Sequence, residues 1–160
     1  MGIKESSIPM MKNLLLVMVL AMAVGACSKE HIIERKEDKI IGAWVFDKVF
    51  YKKDHALFRD DISHLYRDDI IEFFPDYTAI YDDFSLREVF DGQWSLIVDD
   101  DFYYDDGGSD LEFFIDAVFF DYIHGEEFTF FGSITRLGRE RLHFESHDRK
   151  GVFTFKLRRY

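Results

Sequence analysis

This sequence predicts an all-β chain of eight consecutive antiparallel strands, and three observations carry the prediction. All 18 Phe, 8 Tyr and 2 Trp follow Cys27, and aromatic side chains favour the half-buried, pleated surface of a sheet. Apolar and polar residues alternate with period two over successive short runs, as in strands with one face buried and one face wet. Beyond Cys27 there is a single proline, Pro75, so little interrupts sheet ladders. A meander of eight strands either closes into an up-and-down barrel, which removes its edges, or folds into a sandwich. We expect an eight-stranded antiparallel up-and-down β-barrel, with a β-sandwich as the alternative.

The strands fall in order. The first is Ile40–Tyr51, IIGAWVFDKVFY. Asp69–Phe74 and Thr78–Tyr81 flank Pro75-Asp76-Tyr77, a tight turn by its proline and aspartate. In Val89–Val98, Phe90, Gly92, Trp94 and Leu96 alternate with Asp91, Gln93 and Ser95. Leu111–Phe119 sets Leu111, Phe113, Ile115 and Ala117 on one face, and Phe128–Thr135 sets Phe128, Phe130 and Ile134 on one face. Arg141–Ser146 carries Leu142 and Phe144, and Val152–Arg158 carries Phe153, Phe155 and Leu157, each against polar neighbours. Connections around Leu137-Gly138 and Asp148–Gly151 are short enough for hairpins. Residues 52–68, KKDHALFRDDISHLYRD, break the alternation and space Leu57/Phe58, Ile62 and Leu65/Tyr66 at helical intervals. This segment is expected to be a short helix or a loop at one mouth of the barrel.

The front of the chain has a different character. Lys12 and Asn13 follow Met10-Met11, and Leu14–Val24 is an unbroken apolar run ending at Gly25 and Ala26. A positive start, a short apolar stretch and small residues at the cut make a signal peptide. Such a run is shorter than the roughly 20 residues that a bilayer core requires of a helix. Residues 1–9 fit as sequence upstream of a start at Met10 or Met11. Met1-Gly2-Ile3-Lys4-Glu5-Ser6 also fits a short myristoylation pattern, but that would leave the apolar run without a role. Val24-Gly25-Ala26-Cys27 resembles the lipobox of bacterial lipoproteins. That resemblance implies cleavage before Cys27 and attachment of lipid (diacylglycerol and palmitate) to it, in a Gram-negative cell envelope. Ser28 lacks the aspartate that retains such proteins at the inner membrane, which implies an outer-membrane lipoprotein, on the periplasmic face or the cell surface. Residues 27–39 are polar and charged and read as a tether of at most about 40 Å, leading into a barrel domain over residues 40–160.

Charge narrows the partners. Removing residues 1–26 takes away Lys4, Lys12 and Glu5, a net +1, and moves the formal charge from −11 to −12. Neither nucleic acid nor an anionic lipid surface is therefore an expected partner. With Cys27 the only cysteine, no internal disulfide can staple the domain, and its stability must come from its core.

Gly42-Ala43-Trp44 in the first strand, eight consecutive strands and the terminal Lys156-Leu157-Arg158-Arg159 resemble the lipocalin and lipocalin-like proteins. In that family a G-x-W motif opens the first strand, its Trp plugs the barrel base, and an arginine near the last strand covers the indole. The resemblance makes Gly42 and Trp44 the plug and Arg158 the covering cation, with Arg159 the other possibility. Gly92-Gln93-Trp94 repeats G-x-W, whereas the family's T-D-Y-type second motif is absent. The pattern is that of outlying lipocalin-like lipoproteins.

Val98–Asp110 holds six aspartates about Gly107-Gly108, but counting back from Gly107 puts the first ligand of an EF-hand at Phe102, so that spacing fails. Asp105, Asp106 and Asp110 are the weak candidates for a divalent cation; no other metal site is expected. His143 and His147 stand four apart in a strand, about 13 Å, too far to share a zinc. No phosphate loop, nucleophile elbow or C-x-x-C occurs, so neither an enzyme nor a cofactor other than the lipid on Cys27 is expected. Two functional expectations remain, besides cation binding by the acidic loop. One is an envelope lipoprotein whose barrel is an interaction or structural module for a protein partner. The other is a binder of a small apolar ligand or lipid, with Trp94, Phe113, Phe130, Phe144 and Phe155 lining the cavity. A cavity of several hundred Å³ favours the second.

Overall fold

The computed structural model describes residues 30–99 and 111–160. Its strands are β1 (Gly42–Lys53), β2 (Asp60–Asp61), β3 (Ile70–Phe73), β4 (Thr78–Asp83), β5 (Glu88–Asp99), β6 (Glu112–Asp121), β7 (Glu126–Leu137), β8 (Arg141–His147) and β9 (Gly151–Arg159). From β3 onward each strand pairs antiparallel with the next, β1 pairs with β3, and β1 also pairs with β9. Eight strands thus close into an up-and-down barrel, and the sandwich alternative falls away. Bulges at Asp47 in β1 and Thr135 in β7 interrupt the ladder register.

Alternation places the core as the sequence predicts. In β5 Phe90, Gly92 and Trp94 are buried between exposed neighbours, and in β6 Phe113, Ile115, Ala117 and Phe119 are buried. Gly92 lies where a Cβ would run into the Val118 carbonyl and the Phe119 ring, so the second G-x-W glycine serves close approach of two strands. Residues Lys36–Tyr160 form one compact unit whose core cluster is drawn entirely from its own side chains. Among the described residues no buried side-chain polar atom lacks a hydrogen-bond partner. A closed sheet around its own core is a self-contained folding unit.

The segment before β1 departs from expectation. Residues 30–40 are helical, where a tether to Lys39 was expected. The better-covered positions are 33, 36, 37, 39 and 40, a set that the apolar residues alone do not supply. Lys36 and Glu37 supply the missing positions: the Lys36 ammonium lies 4.8 Å from the Phe113 ring centre, and Glu37 accepts a hydrogen bond from the Tyr77 hydroxyl. Long charged side chains cover apolar surface with their stems. Residues 52–68 are mainly loop, containing the two-residue β2 and one 3₁₀ turn, Ser63–Tyr66. Ser63 fixes that turn, accepting from the Val49 backbone N–H at 2.9 Å and donating to Asp61 at 2.5 Å.

The barrel has two unlike ends. One holds the entry to β1, the β3–β4 turn, the β7–β8 turn and the C-terminus. There Trp44 is fully buried and donates its indole N–H to the Ile40 carbonyl at 2.7 Å. The guanidinium covering Trp44 belongs to Arg159, 4.1 Å from the ring centre, which corrects the assignment to Arg158. The register explains it: Trp44 stands opposite Arg159, whereas Arg158 stands opposite Val45 and is exposed. Arg159 also donates to the carbonyls of Ile41 (2.6 Å), Lys39 (3.0 Å) and Arg139 (3.2 Å). Gly42 has φ +118°, and a Cβ there would strike the Arg159 guanidinium. The glycine of the first G-x-W is thereby required twice, by conformation and by space.

Candidate functional site

The opposite end is open. It carries the loop after β1 and the β4–β5, β6–β7 and β8–β9 turns, and a pocket of about 460 Å³ enters the barrel between them. Its walls are largely aromatic, Tyr66, Tyr81, Phe90, Phe128, Phe130 and Phe155. These side chains come from four strands (β4, β5, β7 and β9) and the 3₁₀ turn, because inward positions near the mouth ends of the strands converge on one space. Leu86 and Phe153 extend the lining toward solvent, and Ser146 from β8 is its small inward residue.

The floor of the pocket is an aromatic cluster in edge and face contacts. Phe130 lies 5.4 Å from Tyr81 and 5.6 Å from Phe155, both edge-on. Phe46 stacks on Tyr66 at 5.3 Å, and Phe90 meets Phe128 edge-on at 5.0 Å. Such pairs contribute about 0.5–1.5 kcal/mol each beyond the area they bury. The lower half of the barrel is filled.

Of the five side chains expected to line a cavity, the structure brings Phe130 and Phe155 to the pocket. It leaves Trp94, Phe113 and Phe144 out. Trp94 packs edge-on against Phe73 and donates its indole N–H to the Phe74 carbonyl at 2.9 Å, at the closed end. Phe144 is buried beneath Phe155, the rings stacked at 4.7 Å, and Phe113 is covered by Lys36. All three point inward as alternation requires, but they lie below the cavity. Tyr66, Tyr81, Phe90 and Phe128 were missed as lining residues. Position along the strand was the available signal, since Phe90 and Phe128 stand near the mouth ends of β5 and β7.

One buried carboxylate organises the mouth. Asp69 is fully buried, accepts the Tyr81 hydroxyl at 2.6 Å and accepts the Phe84 backbone N–H at 3.0 Å. It ties the β4–β5 turn to the start of β3. Burial pushes the Asp69 carboxyl above its ordinary range, with Asp83 and Asp82 adding to the rise and its two hydrogen bonds opposing it. Burial and the Asp69 carboxylate together hold the Tyr81 phenol far above its usual range. At the rim Asp121 accepts the backbone N–H groups of Ile123 and His124 and contacts the His124 ring at 2.6 Å. Those hydrogen bonds lower the Asp121 carboxyl, and Asp121 raises the His124 imidazole.

Among the described residues no group of three or more His, Cys, Asp or Glu side chains could hold a metal ion. Cys27 and the acidic trio Asp105, Asp106 and Asp110 lie outside the described residues. His143 is half-buried and His147 exposed, on β8. No helix among the described residues is long and apolar enough to cross a membrane. No protein-family model matches this chain, and neither does any curated protein or any solved structure.

Proposed function

We propose that this chain is a Gram-negative envelope lipoprotein, anchored to the outer membrane through lipid on Cys27, whose lipocalin-like barrel takes up a small apolar ligand at its open end. One observation carries the ligand reading: a pocket of about 460 Å³ walled by aromatic rings. Sites that bury small molecules run to roughly 300–1,000 Å³ and are lined mainly by apolar and aromatic groups. Water gains few hydrogen bonds among these rings, so an alkyl chain or a flat apolar molecule would replace it favourably. The ordered floor and the Asp69–Tyr81 tie support a preformed site, which lowers the ordering cost of binding. The alternative reading, an interaction or structural module, draws on the filled lower barrel. It needs no ligand.

Native mass spectrometry of residues 27–160 carrying Cys27→Ser, purified from cells, separates the two readings. A co-purifying adduct of lipid size, absent from a Ser146→Trp variant that fills the pocket from β8, is the expected result. If neither protein carries an adduct and an added fluorescent fatty acid is not taken up, the ligand reading is overturned in favour of the module.

A further inference from the structure

Among the described residues, the only charged side chains on the pocket wall are two acids, Asp83 at the end of β4 and Asp121 at the end of β6. The other polar groups there are the hydroxyls of Tyr66, Tyr81, Thr129 and Ser146. In a site that is otherwise apolar, a few placed polar groups decide which ligand fits. An anion entering this space would give up its water, meet no cation and face charge of its own sign. The pocket therefore discriminates by charge as well as by polarity.

The two acids are not equivalent. Asp121 is matched already, its Oδ1 by two backbone N–H groups and its Oδ2 by the His124 ring. Asp83 accepts the Ser85 hydroxyl at 2.7 Å and the Leu86 backbone N–H at 2.8 Å, both on Oδ1. Among the described residues neither a hydrogen bond nor an ion pair is made to its Oδ2. Asp83 is felt within the pocket: burial chiefly raises the Tyr66 phenol, and the Asp69 and Asp83 carboxylates add to the rise. The walls suit a positive charge too, because the face of an aromatic ring is the negative part of its quadrupole. Elsewhere in the domain cations lie over Phe50, Phe113 and Trp44. Among the described residues none lies over a ring of the pocket.

We infer that the ligand of this pocket is an organic cation, an ammonium whose nitrogen pairs with Asp83 Oδ2 while its apolar body lies among Phe90, Phe128, Phe130 and Phe155. The inference rests on the pocket reading above and adds to it the sign of the ligand's charge. An ammonium answers the open carboxylate oxygen with a charge-assisted hydrogen bond and is attracted by the ring faces around it. An alcohol of the same length keeps the apolar contacts and lacks the ion pair. A fatty acid of that length sets its own carboxylate beside Asp83 and is the poorest fit of the three.

The test is calorimetric titration of residues 27–160 carrying Cys27→Ser, which contain the whole self-contained barrel. The probes are decylammonium, decanol and decanoate, which share one chain and differ in charge, each kept below its micelle concentration at pH 7. Decylammonium should bind tightest and decanol next, with decanoate about tenfold or more weaker than decylammonium. Asp83→Asn keeps the Oδ1 acceptor of the β4–β5 turn and should weaken decylammonium about tenfold while leaving decanol unchanged. Asp91→Asn removes an exposed carboxylate from the outer face of β5 and should change nothing. Ser146→Trp should lose all three probes. Decanoate binding as tightly as decylammonium overturns the inference, and decanol binding in that same experiment leaves the pocket reading standing. Binding of none of the three overturns both. Decylammonium that is indifferent to Asp83→Asn, that weakens equally in Asp91→Asn, or that survives Ser146→Trp is held by the acidic surface at large, and each of these results overturns the inference.

Discussion

Replacing Arg159 by leucine removes the cation that seals the closed end. Its guanidinium lies over Trp44 at 4.1 Å and donates to three carbonyls, of Ile41, Lys39 and Arg139. A cation over an indole contributes about 0.5–2 kcal/mol. Hydrogen bonds from a charged donor contribute about 1.5–3 kcal/mol each when buried. Here the Arg139 contact is exposed and the other two are only partly buried, so water replaces much of what is lost. Taking the cation–ring contact in full and the three hydrogen bonds at a reduced value, the loss should be about 2–4 kcal/mol. Urea unfolding of residues 27–160, followed by circular dichroism, measures it. Arg158→Leu is the matched control, since that exposed side chain should change stability by no more than about 0.5 kcal/mol. The reasoning is refuted if Arg159→Leu is near-neutral or if Arg158→Leu costs as much.

Trp44→Ala should cost about 3–5 kcal/mol as a large core truncation, readable in the same unfolding assay, because the indole is fully buried and its N–H is bonded to Ile40. Tyr81→Phe withdraws a donor from buried Asp69 and should destabilise the domain by about 1–3 kcal/mol at neutral pH. Asp69 has its folded-state carboxyl raised, so its ionisation opposes folding as pH rises through the ordinary carboxylate value toward the raised one. The Tyr81→Phe cost should therefore shrink as pH falls and Asp69 takes up its proton, and a pH-independent cost would contradict this. Cys27→Ala in the full chain should move the protein out of the membrane fraction, and continued membrane association would sink the lipid anchor.

Period-two alternation was enough to place eight strands and most of the core, because inward residues such as Phe90, Trp94, Ile115 and Leu142 are apolar, with Ser146 at the mouth the small exception in β8. The helix over residues 30–40 stayed hidden because Lys36 and Glu37 occupy its covered face, and polarity at those positions imitates a linker. Apolar spacing over residues 52–68 allowed a short helix or a loop, and the loop prevails because Leu57 and Leu65 are exposed rather than packed. Choice between Arg158 and Arg159 depended on the β1–β9 register, which no local pattern contains. Lining residues were half legible: alternation tells which way a ring points but not at what depth the barrel stops being filled. Asp69 was invisible as an organiser, one aspartate among many, until the fold buried it against Tyr81.

Pairing of β1 with β9 has a consequence for how the protein is made. Trp44 meets Arg159, so the seam joins the first strand of the barrel to its last, and the barrel cannot close before β9 is in place. Contacts this distant in sequence make folding slow. A chain emerging from a ribosome thus lacks, until its last strand is out, the partner that would close the ring. The closing seam is therefore the last pairing the domain can make, and the step that turns an open sheet into a ring.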